Sequence, residues 1–170
     1  MTGQDLLQVL AWRNHPQVRQ HMFTRHEISM VEHGTWFDRV SADPTRRVLL
    51  VEDADGPFGC VQFSQVAPAG TAHWGFYVRP DAPLGSGTRL GMLALDHAFG
   101  ALQLHKVCGQ ALEANAVSRA FHLKLGFTQE GVQHEPQPGQ DAPRTVICFG
   151  LQADRWRADS RAKKGCHEFD

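Results

Sequence analysis

Apolar residues first recur at helical spacing. Leu6, Val9 and Leu10 share one face of a helix that Asp5 can cap, and Arg13 continues that face one turn later, a charge where the pattern expects an apolar side chain. Pro16 ends or bends this helix. A second helix begins at Ser29-Met30-Val31-Glu32, a capping-box spacing, and carries His33, Trp36, Phe37 and Val40 on one stripe, so His33 faces inward or into a cleft. Strand patterns follow at Arg47–Val51, Gly59–Phe63 and Ala72–Val78, with an Asp55-Gly56 turn between the first two, and they read as an antiparallel meander.

Beyond a glycine-rich loop, a long helix carries Leu90, Gly91, Ala94 and Ala98 on one side and Met92, Leu95, Phe99 and Leu102 on the next, an arc wide enough to pack on a sheet. Val107–Leu112 reads as a strand. Asn115–Leu125 reads as a helix with Val117, Ala120, Phe121 and Leu125 inward, capped by Asn115 and stopped by Gly126 in the left-handed region. Phe127–Val132 and Thr145–Leu151 supply late strands around a Pro136-Gln-Pro138-Gly139 loop with Pro143 beyond it. The last stretch, residues 153–170, is mostly charged and reads as a loosely held tail whose start Trp156 could anchor.

Composition narrows this picture. A chain of 170 residues with 42% hydrophobic content can bury one sizeable core, so one domain over residues 1–152 followed by the tail is expected. A formal charge of −1 gives no long-range field for a polyanion, which argues against nucleic acid or a membrane surface as partner. With no apolar run of spanning length and no signal-peptide pattern at the start, a cytoplasmic location is expected. Cys60, Cys108, Cys148 and Cys166 are far apart, and the first three sit in strand-like runs as small hydrophobes, so no disulfide is expected. Ten histidines show no metal-ligand spacing, and His21, His26 and His33 do not share a helical i, i+4 geometry, so no metal is expected.

Two motifs carry chemistry. Strand-like Tyr77-Val78 leads through Arg79-Pro80-Asp81-Ala82-Pro83-Leu84 to Gly85-Ser86-Gly87-Thr88-Arg89 at a helix start, a cradle where backbone N–H groups and the helix dipole favour phosphate. The second runs Asn115 to His122 and closes Leu125-Gly126-Phe127. Together they resemble the acetyl-CoA-dependent N-acetyltransferases of the GNAT superfamily. Trp12-Arg13-Asn14-His15-Pro16, Glu32-His33 with Trp36-Phe37, Trp74-Gly75-Phe76-Tyr77, Leu104-His105-Lys106, and Phe127 with Glu130-Gly131 resemble one branch of it. That branch acetylates the 4-amino group of a UDP-linked 4-amino-4,6-dideoxy-N-acetyl-altrosamine in pseudaminic acid biosynthesis.

The resemblance implies a mixed α/β fold, the GNAT acyl-CoA N-acyltransferase fold, with a central, mostly antiparallel sheet flanked by helices. The family opens with a strand, whereas four residues precede Asp5, so either that strand is missing or the chain begins late, and a homodimer or the tail could cover the bare sheet edge. Acetyl-CoA, as co-substrate, would lie on Gly85, Ser86, Gly87, Thr88 and Arg89, with Phe76, Tyr77 and Val78 pairing to pantetheine and Asn115 and Lys124 adding contacts. Ala82 stands where the family's loop pattern has Gln or Arg, which removes a side chain and leaves the backbone cradle.

His122 falls where many of these enzymes have a tyrosine beside the thioester sulfur, which implies a general acid for the leaving thiolate. Gln110 replaces the family's glutamate base and cannot take a proton. Glu113, on the other strand face, is the alternative, and a water held by Gln110, Gln62 or Ser64 is the preferred route. The same resemblance puts Arg13 and His33 on the acceptor's diphosphate and Ser64, Trp74 and Tyr77 in the acceptor pocket, with Trp36 or Trp74 stacking on a base or lining the sugar. Two other readings stay open. One is a ribosomal-protein N-terminal or polyamine acetyltransferase; the other, given Ala82 and Gln110, is a non-catalytic acyl-CoA-binding module.

Overall fold

A computed structural model describes residues 1–137 and 142–165. Pro138, Gly139 and Cys166 lie outside the described residues. Among those described, six strands and six α-helices gather into two compact units, Met1–Val66 with His73–Ala94, and Ala67–Ala72 with the chain from Leu95 onward.

In the first unit, a short 3-10 turn, Gly3–Asp5, precedes helix α1 (Leu6–Asn14). Asp5 was expected to cap this helix, but its carboxylate turns back to accept Thr2 N–H at 2.6 Å and closes the leading turn instead. Pro16 starts a new one-turn helix, α2 (Pro16–Arg19), at the one position where its missing N–H costs nothing. Helix α3 (Met30–Ala42) has the expected capping box, with Ser29 Oγ accepting from Glu32 N–H and the Glu32 carboxylate accepting from Ser29 N–H. His33 and Val40 are its buried residues.

Strands β1 (Arg47–Asp53), β2 (Gly56–Ser64) and β3 (Thr71–Val78) form the expected meander. Cys60 pairs with Tyr77, Gln62 with Gly75 and Ser64 with His73, so these six residues share one face by strand alternation. Val9, Trp12 and Val18 of the helices pack on that face with Cys60 and Tyr77. The other face carries Val61, Phe63, Trp74 and Phe76, and helix α4 (Ser86–Phe99) lays the fully buried Leu90 beside Gly59. Met92, which the periodicity turns inward, is 41% exposed.

The second unit orders its strands β4 (Lys106–Leu112), β6 (Arg144–Gln152) and β5 (Thr128–Glu135), all antiparallel. Glu130 sits at a bulge in β5 and reaches Lys106 Nζ on β4 at 2.7 Å; any side chain at Gly150 would collide with its carboxylate. Helix α5 (Ala116–Lys124) starts on the Asn115 cap and ends at Gly126, whose φ of 92° is left-handed. Its inward face differs from expectation. Val117 is 78% exposed and Ala120 is exposed, while His122 is buried and Leu125 remains inward. The charged C-terminal stretch forms helix α6 (Ala153–Gly165), anchored by buried Trp156, whose indole N–H donates to Asp96 at 2.9 Å. No helix among the described residues is long and apolar enough to cross a membrane.

The contact between β2 and α4 leaves no room for one more carbon. A Cβ at Gly59 would strike the Leu90 side chain and lie 3.1 Å from the Tyr77 carbonyl, and fully buried Leu90 has nowhere to swing. Gly59→Ala should therefore lower stability by about 1–3 kcal/mol, the usual range for an overpacked core. Denaturant unfolding measures it, and adding Leu90→Val should recover part of the loss.

Candidate active site

Two neighbouring cavities open in the first unit on the helix-covered face of the meander. One, of about 300 Å³, is lined by Arg13, Thr24, His26, Ile28, Glu32, His33, Trp36, Gln62 and Tyr77. The other, of about 210 Å³, has Arg13, Gln62 and Tyr77 in common with it and adds, among others, Met22, Arg46, Ser64, His73 and Gly75. Arg13, His33, Ser64 and Tyr77, four of the five residues expected at the acceptor, are thus brought together. Trp74 also borders the smaller cavity, but by alternation its ring lies on the strand's opposite face, 4.8 Å from the Phe76 ring.

Helix α1 delivers Arg13 because Val9 and Trp12 are anchored on the sheet. Asn14 then ties down the cavity wall, donating to the Ile28 carbonyl at 2.8 Å and accepting from Ile28 N–H at 2.9 Å. Arg13 Nη2 donates to the Thr24 carbonyl at 2.9 Å, while Nη1 is buried with no hydrogen-bond partner. His33 stacks on Trp36 at 5.0 Å, and its Nε2 is likewise buried without a partner. Burial, and then the Arg13 charge, hold the His33 imidazole below its ordinary value. Burial also depresses Arg13, which stays cationic at neutral pH because guanidinium begins so high. The residues lining the cavity therefore include a cation, and two of their buried nitrogens, one of them on that cation, are unmatched; an unmatched buried polar group costs about 1–3 kcal/mol until something bonds to it.

Tyr77 and Cys60 supply no anion here. Burial pushes the phenol well above its usual value and the thiol up to about 11, so both stay protonated. At the rim, Glu32 Oε1 lies 3.1 Å from His26 Nε2, and the Ser29 cap holds this exposed carboxylate below its usual range. Sequence reasoning passed over Arg46, His73 and Gly75. Pairing β2 and β3 in register would have shown two of them, since His73 and Gly75 stand opposite Ser64 and Gln62.

The glycine loop has the expected form. Gly85 holds φ at 91°, and Ser86, 6% exposed, begins α4 with its N–H given to the Pro83 carbonyl at 3.1 Å. Arg89 is less available than expected. Its guanidinium pairs with Asp53 and lies 4.3 Å over the Phe58 ring. Arg79, at the end of β3, was not anticipated; its Nε is buried 3.4 Å from Asp81 without a hydrogen bond. Phe76 and Val78 pair with Val61 and Gly59 of β2.

In the second unit, His122 is 1% exposed and lies between aromatic rings, stacked on Phe149 at 4.7 Å and edge-on to Phe127 at 5.1 Å. Its Nδ1 donates to the Ser118 carbonyl at 2.8 Å. Burial holds the ring below its ordinary value against the opposing effect of that bond. Gln110 and His122 are not brought together. Gly109 is the β4 residue opposite Phe149, so Gln110 points to the other face, where its amide donates to Gln133 at 3.2 Å. Glu113 is exposed beyond the end of β4, and Asn115 and Lys124 stand at the two ends of α5, Asn115 Oδ1 accepting Ser118 N–H at 3.0 Å. No group of three metal-ligating side chains occurs among the described residues.

A strand running into a glycine loop and helix start, followed by a second helix that opens on asparagine and closes Leu-Gly-Phe, defines an acetyltransferase class. Residues 1–128 match the acetyltransferase (GNAT) domain family, and the chain belongs to it. Two similar proteins are named acetyltransferase PseH, both from Campylobacter jejuni. The chain is 23% identical to that of strain 81-176 and 27% identical to that of strain NCTC 11168, each over 128 residues, 75% of this chain and 80% of theirs. Among solved structures, the Vibrio cholerae spermidine N-acetyltransferase in complex with CoA and spermine superposes with a TM-score of 0.82 at 21% identity, covering 92% of this chain and 95% of that one. The expected GNAT fold is thereby shown.

The two buried histidines make stability depend on pH in one direction. Both titrate lower in the folded protein than the roughly 6.5 of an unfolded chain. Well above about pH 6.5 neither state is protonated and the stability is fully present; as pH falls through about 6.5 the unfolded chain takes up protons that the folded one resists, and stability is lost. Urea midpoints measured between about pH 7.5 and 5.5 should fall, and His33→Gln should flatten part of that slope. An unchanged slope would mean that His33 is protonated as readily folded as unfolded.

Proposed function

We propose that the protein is an acetyl-CoA-dependent N-acetyltransferase that acts by direct transfer on the 4-amino group of a UDP-linked amino-deoxy sugar. The observation that carries the acceptor class is the pair of buried, unpartnered nitrogens on residues lining one cavity, Arg13 Nη1 and His33 Nε2, the first of them on a half-buried guanidinium. Diphosphate oxygens would satisfy both and balance the charge, and the planar guanidinium suits phosphate. A polyamine would bring a second cation to Arg13. Trp36, stacked on His33 and open to the cavity, is the surface for a flat base. The similarity to proteins named PseH supports the sugar-linked branch identified from sequence motifs.

For the donor, Gly85 and the N–H groups at the start of α4 would hold the pyrophosphate, with Arg79 and Arg89 supplying nearby charge. The acceptor nitrogen forms its bond to the acetyl carbon, the carbon–sulfur bond breaks, one proton leaves the nitrogen and one reaches the thiolate. In this reading, as the family resemblance implies, His122 is the group that delivers the proton to sulfur, and a water takes the one that leaves the nitrogen. Cys60, buried and protonated, supports no covalent route.

Removing one charge-assisted bond costs about 1.5–3 kcal/mol, so Arg13→Ala should raise the KM for the UDP-amino sugar by roughly 10–100-fold. Acetyl-CoA affinity by calorimetry should stay unchanged. Wild-type enzyme that uses spermidine as efficiently as the sugar nucleotide would replace the diphosphate reading with the polyamine one. His122→Phe should keep acetyl-CoA affinity and lower kcat by about 10²–10⁴-fold, the usual worth of an acid–base group. A kcat equal to wild type would leave the ring as packing between Phe127 and Phe149.

A further inference from the structure

Gly75 lies in the interior of β3, where glycine weakens a strand by roughly 0.5–1 kcal/mol relative to a residue with a side chain. Nothing in the fold demands it. Its φ is outside the left-handed region, and a Cβ built there would meet no atom within 4 Å. Gly75 is exposed and lines the smaller cavity, opposite Gln62 and between exposed His73 and buried Tyr77 on the same face. Of its chain neighbours, Trp74 is buried and Phe76 half-buried, both toward the strand's other face. Gln62, Tyr77 and Arg13 line both cavities, so the wall beside Gly75 continues into the one that holds the unpartnered nitrogens.

A strand that accepts a destabilising residue without a backbone or packing reason leaves open space at that position, and here the space adjoins a cavity whose polar lining includes Gln62, Ser64 and His73. We infer that Gly75 is a specificity-determining residue: its missing side chain leaves room for the part of the acceptor that carries the reacting amine, and a larger residue there would restrict the acceptors to slimmer ones. This rests on the reading of these cavities as the acceptor site. Its chemistry is steric, so Gly75 touches no proton and holds no charge; Ser64, Gln62 and His73 around it supply the hydrogen-bonding groups for a hydroxylated ring.

The test is a size series, Gly75→Ala and Gly75→Val, with the melting temperature, the acetyl-CoA dissociation constant by calorimetry, and kcat and KM for the UDP-linked 4-amino sugar all measured. Melting temperature and acetyl-CoA affinity should hold or, for the former, rise, since valine suits a strand better than glycine. Acceptor kcat/KM should fall in steps with size, by several-fold for alanine and by about 10–200-fold or more for valine, the range set by added methyl groups in a binding pocket. Wild-type kcat/KM in Gly75→Val would overturn the inference. A parallel loss of acetyl-CoA affinity or of melting temperature would also overturn it, by assigning the glycine to the donor site or the fold. Should the wild type prefer spermidine, the diphosphate reading fails alone. The same variants read with spermidine then decide Gly75, a stepwise loss upholding it and a flat series overturning it.

Discussion

The register between β2 and β3 is the constraint on which the two cavities depend. Side chains alternate across a strand, so pairing Gln62 with Gly75 also commits Cys60 and Tyr77, and Ser64 and His73, to the same face. A slip of one residue would turn Trp74 and Phe76 toward α1 and bury Tyr77 on the side of Leu90. With the observed register, Val9 and Trp12 find Cys60 and Tyr77 to pack on, α1 takes one position, and Arg13 follows from it. The chemistry of the cavity is thus a consequence of where two aliphatic and aromatic anchors sit one and four residues earlier in the helix.

That anchoring has an electrostatic cost. Arg13 is partly stripped of water with one nitrogen satisfied by Thr24 and another by nothing, and its charge further disfavours protonation of His33. Folded proteins rarely leave buried donors unmatched, because the loss of water bonds is not returned. Here two such atoms belong to residues that line one cavity, and the His33 ring is stacked on Trp36. The same surroundings keep Tyr77 and Cys60 protonated, so the wall presents donors and a cation with no anion at its depth. Glu32, the nearby carboxylate, is occupied by its own helix cap and by His26.

The second unit solves a different problem, holding a histidine in an apolar setting. Phe127 and Phe149 surround the ring and Ser118 fixes its tautomer, so protonation costs more than in water and the neutral form is the resting one. Two other polar arrangements in this unit are also satisfied internally. Glu130 crosses Gly150 to reach Lys106, and Trp156 reaches Asp96, which is how a helix as polar as α6 is fastened.

Local chemistry in the chain was enough to define several elements, because their signals act over a few residues. The Ser29–Glu32 cap, the Asn115 cap, the Gly126 stop and the period-two meander all rest on contacts within one turn or one hairpin, and the glycine loop at Gly85 on a backbone angle that other residues avoid. The presence of Arg13 and His33 on apolar stripes was legible for the same reason. What distant packing decided was not. The inward face of α5 went to His122 rather than Val117 because Phe149, far along the chain, offers a flat partner that residue hydrophobicity does not encode. Arg89 was claimed by Asp53, a neighbour outside the motif. Helical periodicity and capping are properties of consecutive residues; which face is covered, and which polar atom is left without a partner, are properties of elements brought together from separate parts of the chain.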